Sequence, residues 1–170
     1  MDMSPKTKGF SLQMVQTPNL YCLVSGAAEG NTRLNAFDNA LLEAGVGDTN
    51  LMRMSSICPP SAEEVNIKDI TLPKGGLIPL AYASIDSQTP QMWIASAIAV
   101  GIPEDPTEPG VIMEFEDHTR LEYVETIVKQ MVVDAFNYRK RALKEIKFVG
   151  IEHQVEHCGS TFAAAVLWYK

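Results

Sequence analysis

The stretch LIPLAYASIDSQTPQMWIASAIAVGIPEDPTEPGVIMEFE, residues 77–116, contains three apolar segments separated by two short polar turns. The segments are residues 77–85, 92–100 and 111–116, and both turns contain Pro and Asp. Short apolar segments bounded by such turns are typical of β-strands. Connections of this length suit antiparallel neighbours, since parallel strands need a longer crossover. The stretch therefore predicts an antiparallel meander.

Two segments outside this stretch show the periodicity of amphipathic helices. The first has apolar residues at intervals of three or four: Leu34, Phe37, Leu41 and Ala44. The second has a longer stripe of the same kind: Leu121, Val124, Val128, Met131, Ala135 and Tyr138. Gly45 and Gly47 are suited to end the first helix. Thr119 and Glu122 form the pattern of a capping box at the start of the second.

Further strands are predicted over residues 10–25, 145–157 and 161–170, and one more ends at Ser55-Ser56. Strands dominate, and most of their connections are too short for crossovers. We therefore predict an α+β fold, mostly antiparallel, in which two amphipathic helices cover the strands in a layered αββα-type sandwich. At 170 residues, the chain has the length of a single domain over residues 1–170.

The charge balance and the apolar pattern exclude several classes of function. The formal net charge is −7, which repels phosphate backbones, so we expect no nucleic-acid partner. No apolar run approaches the roughly 20 residues that cross a bilayer, and no signal peptide is evident. These features predict a cytoplasmic protein without a membrane partner.

The cysteines and histidines do not form a recognisable metal motif. The three cysteines lack a CxxC pair, which disfavours both a disulfide framework and structural zinc. His153 and His157 are four residues apart in a predicted strand, which places them on one face. Because no third ligand has a suitable spacing, we expect no metal.

Residues 50–60, NLMRMSSICPP, resemble an apolar strand that ends on two adjacent serines before Pro59-Pro60. One interpretation is that Ser55 and Ser56 satisfy backbone groups in a turn, as most such pairs do. The other is that one of them is a nucleophile. The residues alone leave both interpretations open.

The wider pattern around this pair resembles a known family. LNAFDNALLEAGVGDTNLMRMSSICPP (34–60), GVIMEFE (110–116) and IEHQVEHCGSTFAAAVLWYK (151–170) resemble the pyruvoyl-dependent arginine decarboxylases. The resemblance implies that the Ser56 hydroxyl attacks the carbonyl of Ser55 and that the chain then cleaves itself. The products would be a β chain of residues 1–55 and an α chain of residues 56–170. Ser56 would become a covalent pyruvoyl cofactor.

The family's reaction assigns expected roles to further residues. The resemblance implies conversion of L-arginine to agmatine and CO2 through a Schiff base on the pyruvoyl group. Glu114 would return a proton to the substrate, although with Glu116 it also fits a solvated strand face opposite buried Met113 and Phe115. Asn50 is a candidate donor to the oxyanion during cleavage, and it equally fits a residue that completes a turn.

Substrate binding and assembly are also implied by the resemblance. Asp38 would bind the guanidinium group of arginine, with backbone carbonyls around Gly47 and Thr49 adding contacts. Asp38 equally fits an ordinary acid near a helix N-terminus. The family's members are homo-oligomers built from trimers, with active sites shared between subunits.

Three other functions remain as alternatives. A different amino acid can be the substrate of the same chemistry, or the chain can be an unprocessed binding or regulatory subunit with no catalytic role. A serine hydrolase is the third alternative, but neither serine lies in a Gly-x-Ser-x-Gly elbow and no histidine is close in sequence.

Overall fold

A computed structural model describes residues 16–170 and arranges them as two helices and nine strands. The helices are α1 (Arg33–Glu43) and α2 (Leu121–Arg139). The strands are β1 (Leu20–Glu29), β2 (Asn50–Arg53), β3 (Ile57–Cys58), β4 (Glu63–Glu64), β5 (Leu77–Ser87), β6 (Trp93–Pro103), β7 (Gly110–Asp117), β8 (Leu143–Gln154) and β9 (Gly159–Trp168). Residues 10–15 of the predicted N-terminal strands lie outside the described residues.

The strands form two sheets that pack face to face between the helices. The first sheet has the order β2-β5-β9-β1-β4, and the second has the order β3-β7-β6-β8. The long pairs are antiparallel, and parallel pairing is confined to the short contacts of β1 with β4 and of β2 with β5. The predicted α+β class and its αββα layering are confirmed.

Apolar side chains fill the three spaces between these four layers. Leu41 of α1 packs against Phe162 on the outer face of the first sheet. Ile98 and Ala163 lie between the two sheets, and Val128 of α2 packs on the outer face of the second. Because both faces of each sheet are covered, the central strands β6 and β9 are apolar almost throughout.

The predicted meander is wrong for its first strand. β5 belongs to the first sheet, whereas β6 and β7 pair with each other in the second. The turn between β5 and β6 therefore carries the chain from one sheet to the other. A short polar turn connects strands equally well within a sheet or across a sandwich, so turn length alone does not distinguish these cases.

The predicted capping box of α2 is also wrong. The N-cap residue is Arg120, and its side chain makes no capping hydrogen bond. Instead, the N–H of Leu121 donates to the carboxylate of Glu152 at 2.7 Å, and the Arg120 guanidinium binds the same carboxylate. Glu152 of β8, distant in sequence, thus provides the hydrogen-bond acceptor for the first backbone N–H of α2. Tyr138, predicted on the buried stripe, is 90% exposed.

The two histidines do not share a strand face, contrary to the prediction. β8 ends at Gln154, so His157 lies in the turn that follows, while His153 contacts Glu29. Within residues 16–170, no cluster of three potential metal ligands is present. In the same part of the chain, neither helix is both long and apolar enough to cross a membrane.

Glu29, at the end of β1, ties down the turn between β8 and β9. Its carboxylate accepts hydrogen bonds from the backbone N–H groups of Glu156, His157 and Cys158 at 3.0, 3.0 and 2.7 Å. His153 Nε2 lies 2.6 Å from the same carboxylate. Burial alone would raise the pKa of Glu29, but these hydrogen bonds lower it to about 2.

We expect Glu29→Gln to destabilise the fold by about 1.5–3 kcal/mol at neutral pH, the usual contribution of hydrogen bonds to a charged group. A depressed folded-state pKa stabilises the protein above the ordinary value of 4.5, and this stabilisation is lost as the pH falls toward about 2. Urea unfolding of both proteins across that range should show the difference shrinking with acidity. Glu63→Gln, which removes an exposed pair with Lys170, should cost less than about 1 kcal/mol. An equal cost for both variants would contradict this role of Glu29.

Candidate active site

The chain crosses from one sheet to the other at Ser55-Ser56. Before the crossing, the N–H of Met54 donates to the carbonyl of Leu80 in β5 at 2.9 Å. After it, the carbonyl of Ser56 accepts from the N–H of Ile112 in β7, also at 2.9 Å. Because β2 and β3 lie at edges of different sheets, Ser55 has to bridge the space between two fixed contacts.

Ser56 adopts a backbone conformation that favours glycine. Its φ of 66° lies in the left-handed region, which costs a residue with a Cβ about 1–2 kcal/mol. Hydrogen bonds on both sides of the crossing hold the residue there. Strain of this kind, maintained by its surroundings, is common at functional sites.

The hydroxyl of Ser56 donates a hydrogen bond to the carboxylate of Glu114, with Oγ and Oε1 2.5 Å apart. Glu114 follows Ile112 by two residues on β7, so both side chains lie on the same face of the second sheet. That face lies against the first sheet, because Ile112 is part of the apolar layer between the sheets. The structure thus brings together Ser56 and Glu114, 58 residues apart in sequence.

The two carboxylates of β7 do not form the fully solvated face of the simpler interpretation, whereas the buried face agrees with it. Met113 and Phe115 pack toward α2, as predicted for the buried face. Glu114 is partly buried, however, whereas Glu116 is exposed. The carboxylates therefore lie along the opening between the two sheets and do not form a simple solvated surface.

Glu116 and Arg53 lie near this opening. The pKa of Glu116 is raised, chiefly by partial removal of its carboxyl from water, while Arg53 opposes the shift and the Glu114 carboxylate adds to it. The Arg53 guanidinium donates to the carbonyl of Tyr82 at 3.1 Å and lies 4.7 Å from the centre of its ring. The sequence pattern contained Arg53 without indicating a role for it.

Asn50, Gly47 and Thr49 lie at the other end of β2. The side-chain amide of Asn50 donates to the carbonyl of Gly75 at 2.8 Å, and the Thr49 hydroxyl donates to the carbonyl of Val46 at 2.7 Å. An extended chain from Asn50 to Ser55 covers on the order of 15 Å. The structure therefore does not bring these residues to Ser55-Ser56 within one subunit, and their predicted roles stay predictions.

Asp38 is likewise separated from Ser56 in a single subunit. It is exposed on α1, which packs on the outer face of the first sheet, whereas Glu114 faces the space between the sheets. In the described part of the chain, no hydrogen bond or ion pair connects Asp38 with Ser56 or Glu114. Leu34 and Leu42, one turn before and after Asp38, are 74% and 53% exposed. The predicted burial of Leu34 is wrong, since Ala36, Ala40 and Leu41 fill the inner face of α1.

Comparison with known proteins agrees with this geometry. Residues 20–170 match the family model of pyruvoyl-dependent arginine decarboxylase, PvlArgDC. The chain belongs to the pyruvoyl-dependent arginine decarboxylase family. A relative of that name from Methanocaldococcus jannaschii is 47% identical over 90% of this chain and 92% of its own. Another from Pyrococcus horikoshii is 39% identical over 90% and 96%.

A solved structure shares the fold at lower similarity. It is described as a pyruvoyl-dependent histidine decarboxylase, with a TM-score of 0.51 and 17% sequence identity. The match covers 58% of this chain and 53% of the other, so only about half of that protein is matched. This likeness supports the layered architecture that the two sheets and two helices form.

The cofactor of the family is a covalent pyruvoyl group, and the surroundings of Ser56 fit its formation from that serine. A hydroxyl is present at the crossing, a carboxylate contacts it, and a backbone N–H holds the carbonyl of the same residue. Glu114 and the N–H of Ile112 are therefore the groups that would hold the modified residue. A backbone N–H has no sequence signal, so sequence reasoning missed Ile112.

We expect Ser56→Gly to be more stable than Ser56→Ala. Both variants remove the hydroxyl, but only alanine keeps the cost of the left-handed conformation, about 1–2 kcal/mol. Glycine loses more conformational freedom on folding, which costs that variant about 0.5–1 kcal/mol. The first effect is the larger, so the glycine variant should be the more stable. Urea unfolding of the two uncleaved proteins measures the difference directly. Greater stability of Ser56→Ala would show that the conformation at position 56 is not strained.

Proposed function

We propose that the protein cleaves itself between Ser55 and Ser56 and that the resulting pyruvoyl enzyme converts L-arginine to agmatine and CO2. The products of cleavage are a β chain of residues 1–55 and an α chain of residues 56–170. The observation that carries the proposal is the 2.5 Å hydrogen bond between Ser56 and Glu114 at a left-handed residue between the sheets. The names and high identity of the relatives support arginine as the substrate. We place the enzyme in the cytoplasm.

Cleavage begins with the hydroxyl of Ser56. Glu114 accepts its proton while Oγ forms a bond to the carbonyl carbon of Ser55. The bond from that carbon to the nitrogen of residue 56 breaks, the nitrogen keeps the electron pair and takes a proton, and an ester replaces the amide. Elimination then transfers the Cα proton of residue 56 to a base, forms a double bond between Cα and Cβ, breaks the bond between Cβ and Oγ, and leaves a carboxylate on Ser55. Hydrolysis of the unsaturated residue 56 releases ammonia and leaves the ketone.

Cleavage at this point leaves both new ends attached to the fold. β2 remains paired with β5 in the first sheet, and β3 remains paired with β7 in the second. β1 of the β chain pairs with β9 of the α chain along its whole length, from Leu20 to Glu29. The two chains therefore share one sheet and one core, and we expect them to separate only on denaturation.

Arginine binding and proton transfer involve separate residues of this chain. When formed, the pyruvoyl group supplies an electron sink for the pair that CO2 leaves behind. Glu114 holds a proton beside residue 56 and delivers it to the α-carbon of the substrate. Asp38 binds the guanidinium group of arginine, whose planar fork of N–H donors matches a carboxylate. The carbonyls of Gly47 and Thr49 add contacts. Asn50 supports the oxyanion during cleavage only where a second copy brings it to the crossing, since within one subunit it lies at the far end of β2.

The separation of Asp38 from Ser56 within one subunit supports a site shared between subunits. We propose a homo-oligomer built from trimers, in which α1 of one copy approaches the crossing of another. Exposed apolar side chains flank both half-sites: Leu34 and Leu42 beside Asp38, and Met52, Met54 and Ile57 beside Ser56. Apolar groups in such positions suit contact with a second copy.

Intact mass under denaturing conditions, combined with arginine turnover, tests the proposal. Two masses, for residues 1–55 and for 56–170 with a pyruvoyl end, should appear, while Ser56→Ala should give one. Under native conditions the two chains should elute together. A single mass after long incubation would favour the non-catalytic subunit. Complete cleavage without CO2 release from arginine would favour another amino acid as substrate.

Glu114→Gln should slow both cleavage and turnover by on the order of 100-fold, because glutamine forms hydrogen bonds but transfers no proton. Glu116→Gln, two residues along the same face, is the matched control and should retain most activity. Mass spectrometry over time measures cleavage, and CO2 release measures turnover. Equal losses in the two variants would contradict the role of Glu114.

Asp38→Asn should leave cleavage intact and raise KM for arginine, while Glu43→Gln on the same helix should not. Mixing Asp38→Asn with Ser56→Ala subunits, followed by unfolding and joint refolding, tests the shared site. Mixed oligomers contain some interfaces with an intact Asp38 opposite a processed Ser56, so activity should exceed that of either variant alone. No gain from mixing would place both residues in one subunit's site.

A further inference from the structure

We propose that the backbone N–H of Ile112 is a catalytic hydrogen-bond donor in decarboxylation. It binds the carbonyl oxygen of residue 56 and stabilises the negative charge that develops there. The inference rests on the proposed function and adds a backbone hydrogen-bond donor to the side chains proposed for the active site. It assigns a role to the peptide group of a residue whose side chain lies in the apolar layer between the sheets.

The position of this donor is set by strand pairing. The N–H of Ile112 lies 2.9 Å from the carbonyl oxygen of Ser56. The contact continues the antiparallel pairing in which Ile57 faces Val111 and Cys58 faces Gly110. All of these β3 residues follow the cleavage point, so self-cleavage does not remove the strand that holds residue 56 against β7.

The chemistry of residue 56 explains why this oxygen needs a donor. Its carbonyl is conjugated with the adjacent ketone carbon once the serine is converted, and it is the oxygen on which withdrawn electron density accumulates. A donor fixed before the reaction stabilises such charge without the cost of reorientation. A peptide N–H is neutral and does not titrate, so this stabilisation is independent of pH.

β7 then supplies two groups to one residue. Ile112 binds the backbone carbonyl of residue 56, and Glu114, two residues further on, contacts its side chain. Residues two apart on a strand direct their backbone groups to the same edge and their side chains to the same face. This spacing fixes the proton donor and the oxyanion donor relative to each other.

The proposal separates decarboxylation from self-cleavage. During cleavage, negative charge develops on the carbonyl oxygen of Ser55, because that carbon is attacked. The N–H of Ile112 binds the carbonyl oxygen of Ser56, a different atom. Loss of this N–H should therefore impair turnover and leave cleavage nearly unchanged.

The test replaces single peptide bonds with esters in the full-length protein. The α-hydroxy analogue of isoleucine at position 112 removes the N–H and keeps the side chain. The α-hydroxy analogue of glycine at position 110 is the matched control, since Gly110 pairs with Cys58 in the same ladder. We expect kcat to fall about 10- to 100-fold for position 112 and less than about threefold for position 110. Intact mass should show complete cleavage in both.

A carbonyl reagent provides a readout that does not depend on turnover. The hydrogen bond makes the neighbouring ketone more electrophilic, so adduct formation with phenylhydrazine should be slower in the position 112 ester than in the position 110 ester. Equal kcat values and equal adduct rates for the two esters would overturn the proposal. Failure of the position 112 ester to cleave would also overturn it, since the N–H would then serve cleavage.

Hydrogen exchange in the full-length Ser56→Ala protein tests the contact without any processing. The amide of Ile112 should exchange more slowly than that of Glu114, which lies beyond the end of β3 on the same edge. Equal exchange rates would overturn the proposal. Absence of cleavage or arginine turnover in the unmodified protein would instead refute the proposed function, so the two failures are distinguishable.

Discussion

The crossing of the chain between two sheet edges is the constraint on which the candidate site depends. Met54 is bound to Leu80 in one sheet and Ser56 to Ile112 in the other, each at 2.9 Å, so one residue has to span the space between them. The left-handed conformation of Ser56 is a consequence of this short connection. The strand pairs on either side hold Ser56 in this strained conformation. The same pairs complete the two sheets, so the fold forms them in any case.

The contact between Ser56 and Glu114 depends equally on how closely the two sheets approach. The layer between them contains Ala81, Ala83, Ala163 and Ala165 among larger apolar side chains. Small residues let the sheets pack closely, and β7 can then present a carboxylate at the edge of the sandwich, within reach of the crossing chain. Glu114 thus lies at the boundary between an apolar core and solvent, where a carboxyl is accessible yet shielded on one side. Arg53 and Glu116 contribute opposing charges at the same opening.

Local patterns in the sequence predict the helices and strands of this fold but not which strands pair with one another. The stripe from Leu121 onward identifies α2, and the apolar segments identify β5, β6 and β7 to within a few residues. Sheet membership is different, because an apolar strand buried on both faces fits either sheet, and the turn before β6 is compatible with both. The start of α2 depends on Glu152, which no pattern around Thr119 reveals. At the site, the serine pair was recognisable only through the family pattern, and the contact with Ile112 involves a backbone group that every residue but proline possesses.

The same geometry divides the proposed reactions between one subunit and two. Ser56, Glu114 and the N–H of Ile112 meet within a single chain. The nucleophile and base proposed for self-cleavage, and the donor proposed for decarboxylation, are therefore in place as soon as that chain folds. Asp38 lies on the outer face of the first sheet, between exposed leucines, and reaches a pyruvoyl group only if a second copy brings one to it. The nucleophile and base for cofactor formation would then require folding alone, whereas arginine binding and oxyanion support by Asn50 would also require assembly. In this scheme an isolated subunit would hold Ser56 against its base but would not decarboxylate arginine, because it would lack the acid that binds the guanidinium group.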